Sequence, residues 1–305
     1  MKRSYGFSGA VLIVLTALLG SCTQSNPPGV NGFSKGVITA KGSIFVNGVE
    51  FDISGASIMI NGAPGTDADL RVGMQVEVKG KIDDASSTGM AAEVHFDGSF
   101  KGPIDAIAAP NLTVLGQTVI TDSNTVFESL PTGLAGLAVN DVVEVAGMPN
   151  QLGQILATHI EKTGSTTFEI RGVVSSPAAG TFTLTPPNNG VALTVNYTGS
   201  LPAGITTGTS VEVKFTLADW TSGTHTIGTI AAGNIEAKSE LEPANGDRVE
   251  VQGFVTGLSG STFTVEGISV NSGSLSLAGV SNGTKVEVEG SFTSGVLYAE
   301  KIQIK

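Results

Sequence analysis

Short stretches in which apolar and polar residues alternate run along most of the chain, and turn residues separate them. The Ser-Thr-Phe-Thr-Val-Glu-Gly segment at 261–267 places Phe263 and Val265 on one face and polar side chains on the other. Alternation with a period of two is typical of β-strands that bury one face. We find no sustained apolar spacing of the kind that predicts an amphipathic helix. The pattern therefore predicts an all-β protein built from short strands.

One nine-residue pattern occurs four times: an aliphatic residue, two variable positions, Gly or Asn, two more variable positions, and Val-Glu-Val. The copies begin at Leu70, Leu137, Ile205 and Val280, and their glutamates are Glu77, Glu144, Glu212 and Glu287. An Ala-x-x-Ile/Val signature follows each copy and begins at Ala91, Ala157, Ala232 or Ala299. A recurrence of roughly 65–80 residues is too long for one coil of a solenoid and predicts a string of small domains.

Each position of the repeat has an expected structural role. The small residue before the triplet is Gly73, Asn140, Gly208 or Gly283, and Gly and Asn are the residues that most readily adopt positive φ. The valines are expected to face the core and the glutamate to face solvent. A glycine after the strand (Gly80, Gly147, Gly290) is expected to allow a sharp bend, and Phe215 replaces it in the third copy.

Five or six short strands in each repeat predict a small closed barrel of the OB type. Asn47-Gly48 between two apolar runs predicts a two-residue hairpin turn within the first barrel. The predicted architecture is all-β, with four tandem small antiparallel β-barrels after a signal peptide. Its predicted bounds are a signal peptide at 1–21, a tether at 22–34, and barrels at 35–98, 99–163, 168–238 and 247–305.

The same motifs resemble a bacterial envelope family known as domain of unknown function 5666. The family pattern is Gly-x-Val near the start, Gly-x-x-Val-Glu-Val-x-Gly in the middle and Ala-x-x-Ile at the end. The first repeat carries it at Gly36, 73–80 and 91–94, and the last at 253–255, 283–290 and 299–302. The second and third repeats diverge more. The resemblance implies a shared fold and brings no activity with it.

The first residues have the features of a secretory leader. Lys2 and Arg3 precede an apolar run at 9–19, which is shorter than a membrane-spanning helix. The run ends in Leu19-Gly20-Ser21-Cys22, which resembles the lipobox of bacterial lipoproteins. The resemblance implies lipidation of Cys22, including palmitate. Because Thr23 is not Asp, it also implies passage to the outer membrane of the cell envelope. A plain secreted protein, cleaved at a site that includes this cysteine, is the alternative.

Composition narrows the classes of partner. Charged residues make up 14% of the chain, aromatic residues 6%, and the formal net charge is -11. Such a surface repels phosphate backbones, and no basic patch interleaved with aromatic residues occurs in the sequence, so we expect no nucleic-acid partner. The expected partners are a membrane, reached through the lipid anchor, and an envelope glycan or protein.

Catalytic patterns are weak, and the sequence predicts no enzyme, no cofactor and no metal site. Ser281 lies in a G-x-S-x-G string that precedes a strand instead of the helix a nucleophile elbow needs. The histidines at 95, 159 and 225 lie in different repeats and are expected at exposed strand or loop positions. The acidic pairs Asp67/Asp69 and Asp83/Asp84 lack the full ligand array of a calcium loop, although weak calcium binding is left open.

Trp220, the single tryptophan, is the most distinctive candidate binding residue. It lies in an extended hairpin of the third repeat with Asp219 and His225 nearby, and an exposed indole there could stack on a sugar ring. The alternative is an indole that covers the open end of the barrel. The sequence thus leaves three hypotheses in descending order: a lipid-anchored structural, spacer or binding protein, a glycan-binding module, and an envelope hydrolase.

Overall fold

The computed structural model describes residues 29–238 and 240–305. Its described part is all-β and contains 3-10 turns but no α-helix. Within these two ranges no helix is long and apolar enough to span a membrane. The predicted leader, Cys22 and most of the predicted tether lie outside the described residues.

Unit 1 (residues 29–98) is a closed barrel. Its strands are β1 Val30–Ala40, β2 Ile44–Val46, β3 Val49–Asp52, β4 Ser57–Ile60, β5 Ala63–Pro64, β6 Gln75–Asp83 and β7 Thr88–Phe96, with a 3-10 turn at Asp67–Asp69. Strand β1 pairs with β2, β2 with β3, β3 with β7, β7 with β6, and β6 returns to β1. The short hairpin β4–β5 extends the sheet beside β7.

Units 2 (99–163) and 4 (247–305) close in the same order. Unit 2 contains β8 Phe100–Ala108, β9 Asn111–Val114, β10 Gln117–Ile120, β11 Val126–Glu128, β12 Val142–Pro149 and β13 Ile155–Thr163, with a 3-10 turn at Gly133–Gly136. Unit 4 contains β21 Arg248–Ser259, β22 Thr262–Val265, β23 Ile268–Asn271, β24 Lys285–Thr293 and β25 Val296–Ile304. Strand β8 pairs with β9 and with β12, and β21 pairs with β22 and with β24, which completes the ring in each unit.

Unit 3 (164–238) follows the same strand order, but its last strand is interrupted. Its strands are β14 Thr167–Ala178, β15 Thr181–Thr185, β16 Leu193–Thr198, β17 Ser210–Thr216, β18 Trp220–Thr221, β19 Thr226–Ala231 and β20 Ile235–Ala237. Its 3-10 turns are Pro187–Asn189, Leu217–Asp219, Ser222–Thr224 and Ala232–Asn234. Strand β19 pairs with β16, and β20 pairs with β17. Together they occupy the position that the single strand β7 has in unit 1.

The prediction of purely antiparallel barrels is wrong at one strand pair of each five-stranded ring, and the added strands β4 and β11 also pair in parallel, with β7 and β13 respectively. The pairs β3–β7, β10–β13, β16–β19 and β23–β25 are parallel. A ring of five strands cannot alternate direction all the way around, because an odd number leaves two neighbours that run the same way. Closure of a five-stranded barrel therefore requires one parallel pair.

The repeated motif does in the structure what its residue types predict for the backbone. Gly73, Asn140, Gly208 and Gly283 have φ values of 91°, 72°, 91° and 87°, so the prediction of positive φ is confirmed. All eight valines of the triplets are at most 1% exposed. The Asn47-Gly48 turn also has positive φ at both positions and joins β2 to β3, as predicted.

The glycine after each triplet marks a β-bulge and a close approach of two strands. The pairing register shifts at Gly80, Gly147 and Gly290. A Cβ at these positions would lie 2.1, 2.3 and 2.1 Å from a carbonyl oxygen of the facing strand. Unit 3 tolerates Phe215 because β17 pairs with β20 over residues 211–213 alone, and Phe215 packs edge-on against Phe168.

Strand pairing also joins the units to one another. Strand β1 pairs in parallel with β21 of unit 4 over residues 32–35, and β8 pairs with β14 of unit 3 at Lys101 and Phe100. We call these the 1–4 seam and the 2–3 seam. The first strand begins at Val30, inside the segment predicted as a tether, because residues 30–37 pair with β6. One apolar cluster runs through units 2 and 3, and Phe33 of unit 1 packs in the core of unit 4. The units form a joined body instead of separate beads.

Candidate functional site

The repeated glutamates lie between units and not on solvated strand faces. Glu77, Glu212 and Glu287 are 8%, 2% and 5% exposed, and Glu144 is half-buried. The expectation that they face solvent is therefore wrong. Each glutamate does point away from its own core, as the alternation predicts, but another part of the chain covers it.

A second repeated position faces each glutamate. The residue before the opening glycine of the first strand is Lys35, Lys101, Arg171 or Gln252, and in the pairing register it lies opposite Glu77, Glu144, Glu212 or Glu287, respectively. Sequence reasoning used the opening glycines and missed the residues before them. Three basic residues and one amide at one position of the repeat are the signal that could have revealed the pairing.

Lys35 is the centre of the first cluster. Its Nζ lies 3.0 Å from Glu77 Oε1 and 2.9 Å from Glu240 Oε2 in the connection between units 3 and 4. The backbone N–H of Leu241 donates to Glu77 Oε2 at 2.8 Å. Burial disfavours the charge on Lys35, but the carboxylates of Glu240, Glu77 and Glu266 outweigh burial and raise its pKa. The cluster fastens unit 1 to the connection that precedes unit 4.

Glu266 enters the same cluster from unit 4. It has positive φ in the β22–β23 turn, and its side chain lies across Gly253, where a Cβ would come within 2.5 Å of it. Asn47 and Leu115 lie across Gly36 and Gly102 in the same manner. Burial raises the pKa of Glu266 to about 7, against the opposing effect of Lys35. The opening glycines of units 1, 2 and 4 therefore make room for a turn side chain, whereas Gly172 faces the backbone of Thr185.

Glu212 is the centre of the second cluster. Its Oε2 lies 2.9 Å from Arg171 Nη2, and its Oε1 lies 3.3 Å from Lys214 and 3.2 Å from Lys238. Arg171 also binds Asp97 at the end of unit 1. Burial would raise the pKa of Glu212, but Arg171 and Lys238 outweigh it and hold the pKa below its ordinary value. Unit 3 is thereby tied to the unit 1–unit 2 junction.

The remaining two pairs of facing residues are Lys101/Glu144 and Gln252/Glu287, and their side chains bind other partners as well. Lys101 binds Glu169 of unit 3 at 3.2 Å across the 2–3 seam. Glu144 accepts a 2.6 Å hydrogen bond from Asn61 Nδ2 of unit 1 instead. Glu287 lies 3.0 Å from Lys305 Nζ, and Gln252 Nε2 donates to it at 3.5 Å. In units 1 to 3 the repeated acid or the cation that faces it contacts another part of the chain, whereas the partners of Glu287 lie within unit 4.

A central cavity of about 350 Å³ lies where all four units meet. Its lining includes charged groups of the two clusters, such as Lys35, Glu266 and Arg171. Apolar side chains, including Phe100 and Ile155 of unit 2, also line it. A lining that combines apolar side chains with a few charged groups is typical of a small-ligand pocket.

The hairpin around Trp220 packs against unit 2. Trp220 is half-buried, and its Nε1 donates to Asp105 Oδ1 at 3.2 Å. Its ring stacks with His225 at 6.5 Å between centroids and contacts Phe215 at 6.1 Å. Asp219 Oδ2 accepts from the Thr216 hydroxyl at 2.7 Å and so caps a 3-10 turn. These contacts occupy the side chains within the protein, and glycan binding at this hairpin stays a prediction.

The remaining candidate side chains are dispersed. His159 is 1% exposed, so the expectation of an exposed position is wrong there, and burial lowers its pKa. Ser281 leads into strand β24, and its hydroxyl lies 3.1 Å from that of Thr284. Asp67 binds Lys41, and Asp84 binds Arg248. Within residues 29–238 and 240–305 no group of three or more His, Cys, Asp or Glu is placed to hold a metal ion.

The comparisons with known proteins identify the family. Residues 35–95, 101–161 and 252–303 match the family described as Domain of unknown function (DUF5666), which is more than half of the chain. The chain belongs to this family of tandem β-barrel domains. No curated protein matches the sequence. A solved structure titled "drosophila Unr CSD456" is similar at 14% identity over 69% of this chain and 97% of that one, with a TM-score of 0.21.

Proposed function

We propose that this protein is a non-catalytic component of the bacterial cell envelope, in which four barrel units form one block held at the outer membrane by a lipid on Cys22. The observation that carries the proposal is the use of the repeated glutamates. Glu77 and Glu212, the chemically most suggestive repeated residues, are ion-paired to Lys35 and Arg171 of their own units. The same two cations also bind Glu240 in the connection before unit 4 and Asp97 at the end of unit 1. A motif used for attachment supports a structural, spacer or binding role.

The count of four rests on unit 3, a divergent copy of the same barrel. Gly208 has the positive φ of its counterparts, and Arg171 and Glu212 repeat the basic–acidic pair of unit 1. The strand order is also the same apart from the interruption at 232–234. The long Trp220 hairpin and the absence of a bulge at Phe215 account for the divergence of its sequence.

Lipid attachment is tested by metabolic labelling with radioactive palmitate in a bacterial host. The wild-type chain should incorporate label and sediment with the membrane fraction, whereas Cys22→Ala should do neither. Equal labelling of the two proteins would refute the anchor. Several acyl chains on one residue give the durable anchoring that a single chain lacks, so extraction should need detergent.

The non-catalytic assignment is tested with ester, glycoside and peptide substrates. We expect hydrolysis by the purified protein to equal that of buffer. Activity that disappears in Ser281→Ala but persists in Ser294→Ala, a change at another turn serine, would establish the hydrolase alternative.

A further inference from the structure

A second cavity lies along the 1–4 seam and is separate from the central cavity. This 1–4 cleft has a volume of about 320 Å³ and is lined from both units, by Asp84 and Ser87 on unit 1 and by Glu250, Glu287 and Glu289 on unit 4. Liquid water occupies about 30 Å³ per molecule, so the cleft has the volume of about ten waters.

Charges in the cleft do not balance. Its carboxylates are Asp84, Glu250, Glu287 and Glu289, and its cations are Arg248, Lys301 and Lys305. Three of the carboxylates have a cation. Arg248 Nε lies 3.1 Å from Asp84 and its Nη2 3.3 Å from Glu289, which also binds Lys301, while Lys305 lies 3.0 Å from Glu287. Glu250 has no ion pair of this kind within the described part of the chain.

Glu250 is nevertheless buried in the floor of the cleft. The residue is 4% exposed, and its Oε2 accepts no hydrogen bond from the described residues. In the sheet it lies between Ser34 of β1 and Glu289 of β24, so a like charge faces it from one side. A buried carboxylate without a partner is costly, because desolvation is not repaid.

We propose that the 1–4 cleft binds an organic ammonium group, such as the end of a polyamine, on the carboxylate of Glu250. An ammonium group supplies one positive charge, which is the charge the cleft lacks, and it needs only a few acceptors. A calcium ion takes six to eight oxygen ligands, and no acidic cluster of that kind converges among residues 29–238 and 240–305. Lys301 and Lys305, which also line the cleft, have side chains that are 48% and 34% exposed and are ion-paired to Glu289 and Glu287.

Binding is coupled to the loss of a proton. Without a ligand, burial and the neighbouring carboxylates, Glu289 first, raise the pKa of Glu250 to about 8, against the pull of Arg248. The ammonium group therefore displaces the carboxyl proton, which passes to the solvent. Affinity should rise up to about tenfold per pH unit below the pKa and level off above it.

The experiment is a calorimetric titration of the purified protein with spermidine at pH 7 and pH 9, in two buffers that differ in ionisation enthalpy. For the wild type we expect release of nearly one proton per ligand at pH 7 and of much less at pH 9. Glu250→Gln, which mimics the protonated side chain, should lose at least tenfold in affinity and release no proton, with its melting temperature retained. Glu242→Gln removes an exposed carboxylate in the connection before unit 4 and should bind as the wild type does.

Two results would overturn the proposal. Equal losses in Glu250→Gln and Glu242→Gln would show that spermidine is attracted only by the net acidic surface. Binding without proton release at pH 7 would show that the ligand does not contact Glu250. Neither result affects the lipid anchor or the barrel architecture, which are tested separately.

Discussion

Lys35 and Glu77 are register partners on adjacent strands of unit 1, and their side chains form a 3.0 Å ion pair that unit 4 and its preceding connection cover. The same two positions of the repeat hold Arg171 and Glu212 in unit 3, 2.9 Å apart. An ion pair formed across one barrel thus becomes the contact by which that barrel joins its neighbours. Removal of one member of such a buried pair leaves the other uncompensated.

Glu212→Gln should destabilise the protein strongly. It removes the carboxylate that faces Arg171, Lys214 and Lys238, and we expect the free energy of unfolding to fall by about 3 kcal/mol. Glu236→Gln is the matched control, because Glu236 pairs with the same two lysines at the surface and should cost less than about 1 kcal/mol. Urea denaturation measures both variants. Equal costs would contradict the role of burial.

Gly290→Ala should be destabilising because the bulge leaves no room for a side chain. Its Cβ would lie 2.1 Å from the carbonyl oxygen of Tyr298, and we expect a loss of about 3 kcal/mol from the strand displacement that follows. Gly55→Ala meets nothing within 4 Å and should change the stability by less than about 1 kcal/mol. Thermal denaturation of the two variants gives the comparison. A melting temperature of Gly290→Ala equal to that of Gly55→Ala would contradict the close approach of the strands at Gly290.

Stability should fall as the pH rises from 7 to 8.5. Glu250 has its pKa raised to about 8, so the folded state binds a proton there that the unfolded state, with an ordinary carboxyl, has already lost. This contribution is complete below about pH 4.5 and is lost as the pH passes through the folded pKa. Glu266, whose pKa is raised to about 7, contributes a fall in the same direction at the lower end of this window.

Glu250→Gln should flatten that slope, since glutamine does not titrate. Chemical denaturation at several pH values between 7 and 8.5 gives the comparison, with Glu242→Gln, at an exposed carboxylate, as the control. A slope that persists unchanged in Glu250→Gln would assign the pH dependence to another group.

Trp220 should report on the contact between units 2 and 3. Asp105→Ala removes the acceptor of the indole N–H, and we expect the fluorescence maximum to shift to longer wavelength and the stability to fall by about 1 kcal/mol. Asp122→Ala, in a loop of the same unit, should leave the spectrum unchanged. A change on adding oligosaccharides to the wild type would favour the glycan alternative.

The backbone of each barrel was predictable because its causes are local. The residue types at Gly73 and Asn140 indicate a turn that needs positive φ, and the valines at 76 and 78 indicate a buried strand face. The surroundings of Glu77 were not predictable in the same way. Alternation shows that it leaves its own core, but its partner Glu240 lies more than 160 residues further on, and no local pattern reveals it.

The surroundings of the candidate site residues were even less predictable, because they depend on how the units pack against one another. Trp220 was singled out from the sequence, but Asp105, which accepts its indole hydrogen bond, lies 115 residues away in unit 2. By alternation Glu250 is an outward residue of β21, between the buried valines at 249 and 251. Its burial follows from the pairing of β1 with β21, an interaction between the first and last units that the separate repeats do not encode.

Ion pairs and shared strands should hold the four units together in solution as one block. Small-angle X-ray scattering of the wild-type protein measures whether they do. A compact body of this length should have a radius of gyration of about 20 Å. A value of about 30 Å, as for a linear string of separate barrels of this size, would show that the units do not pack together.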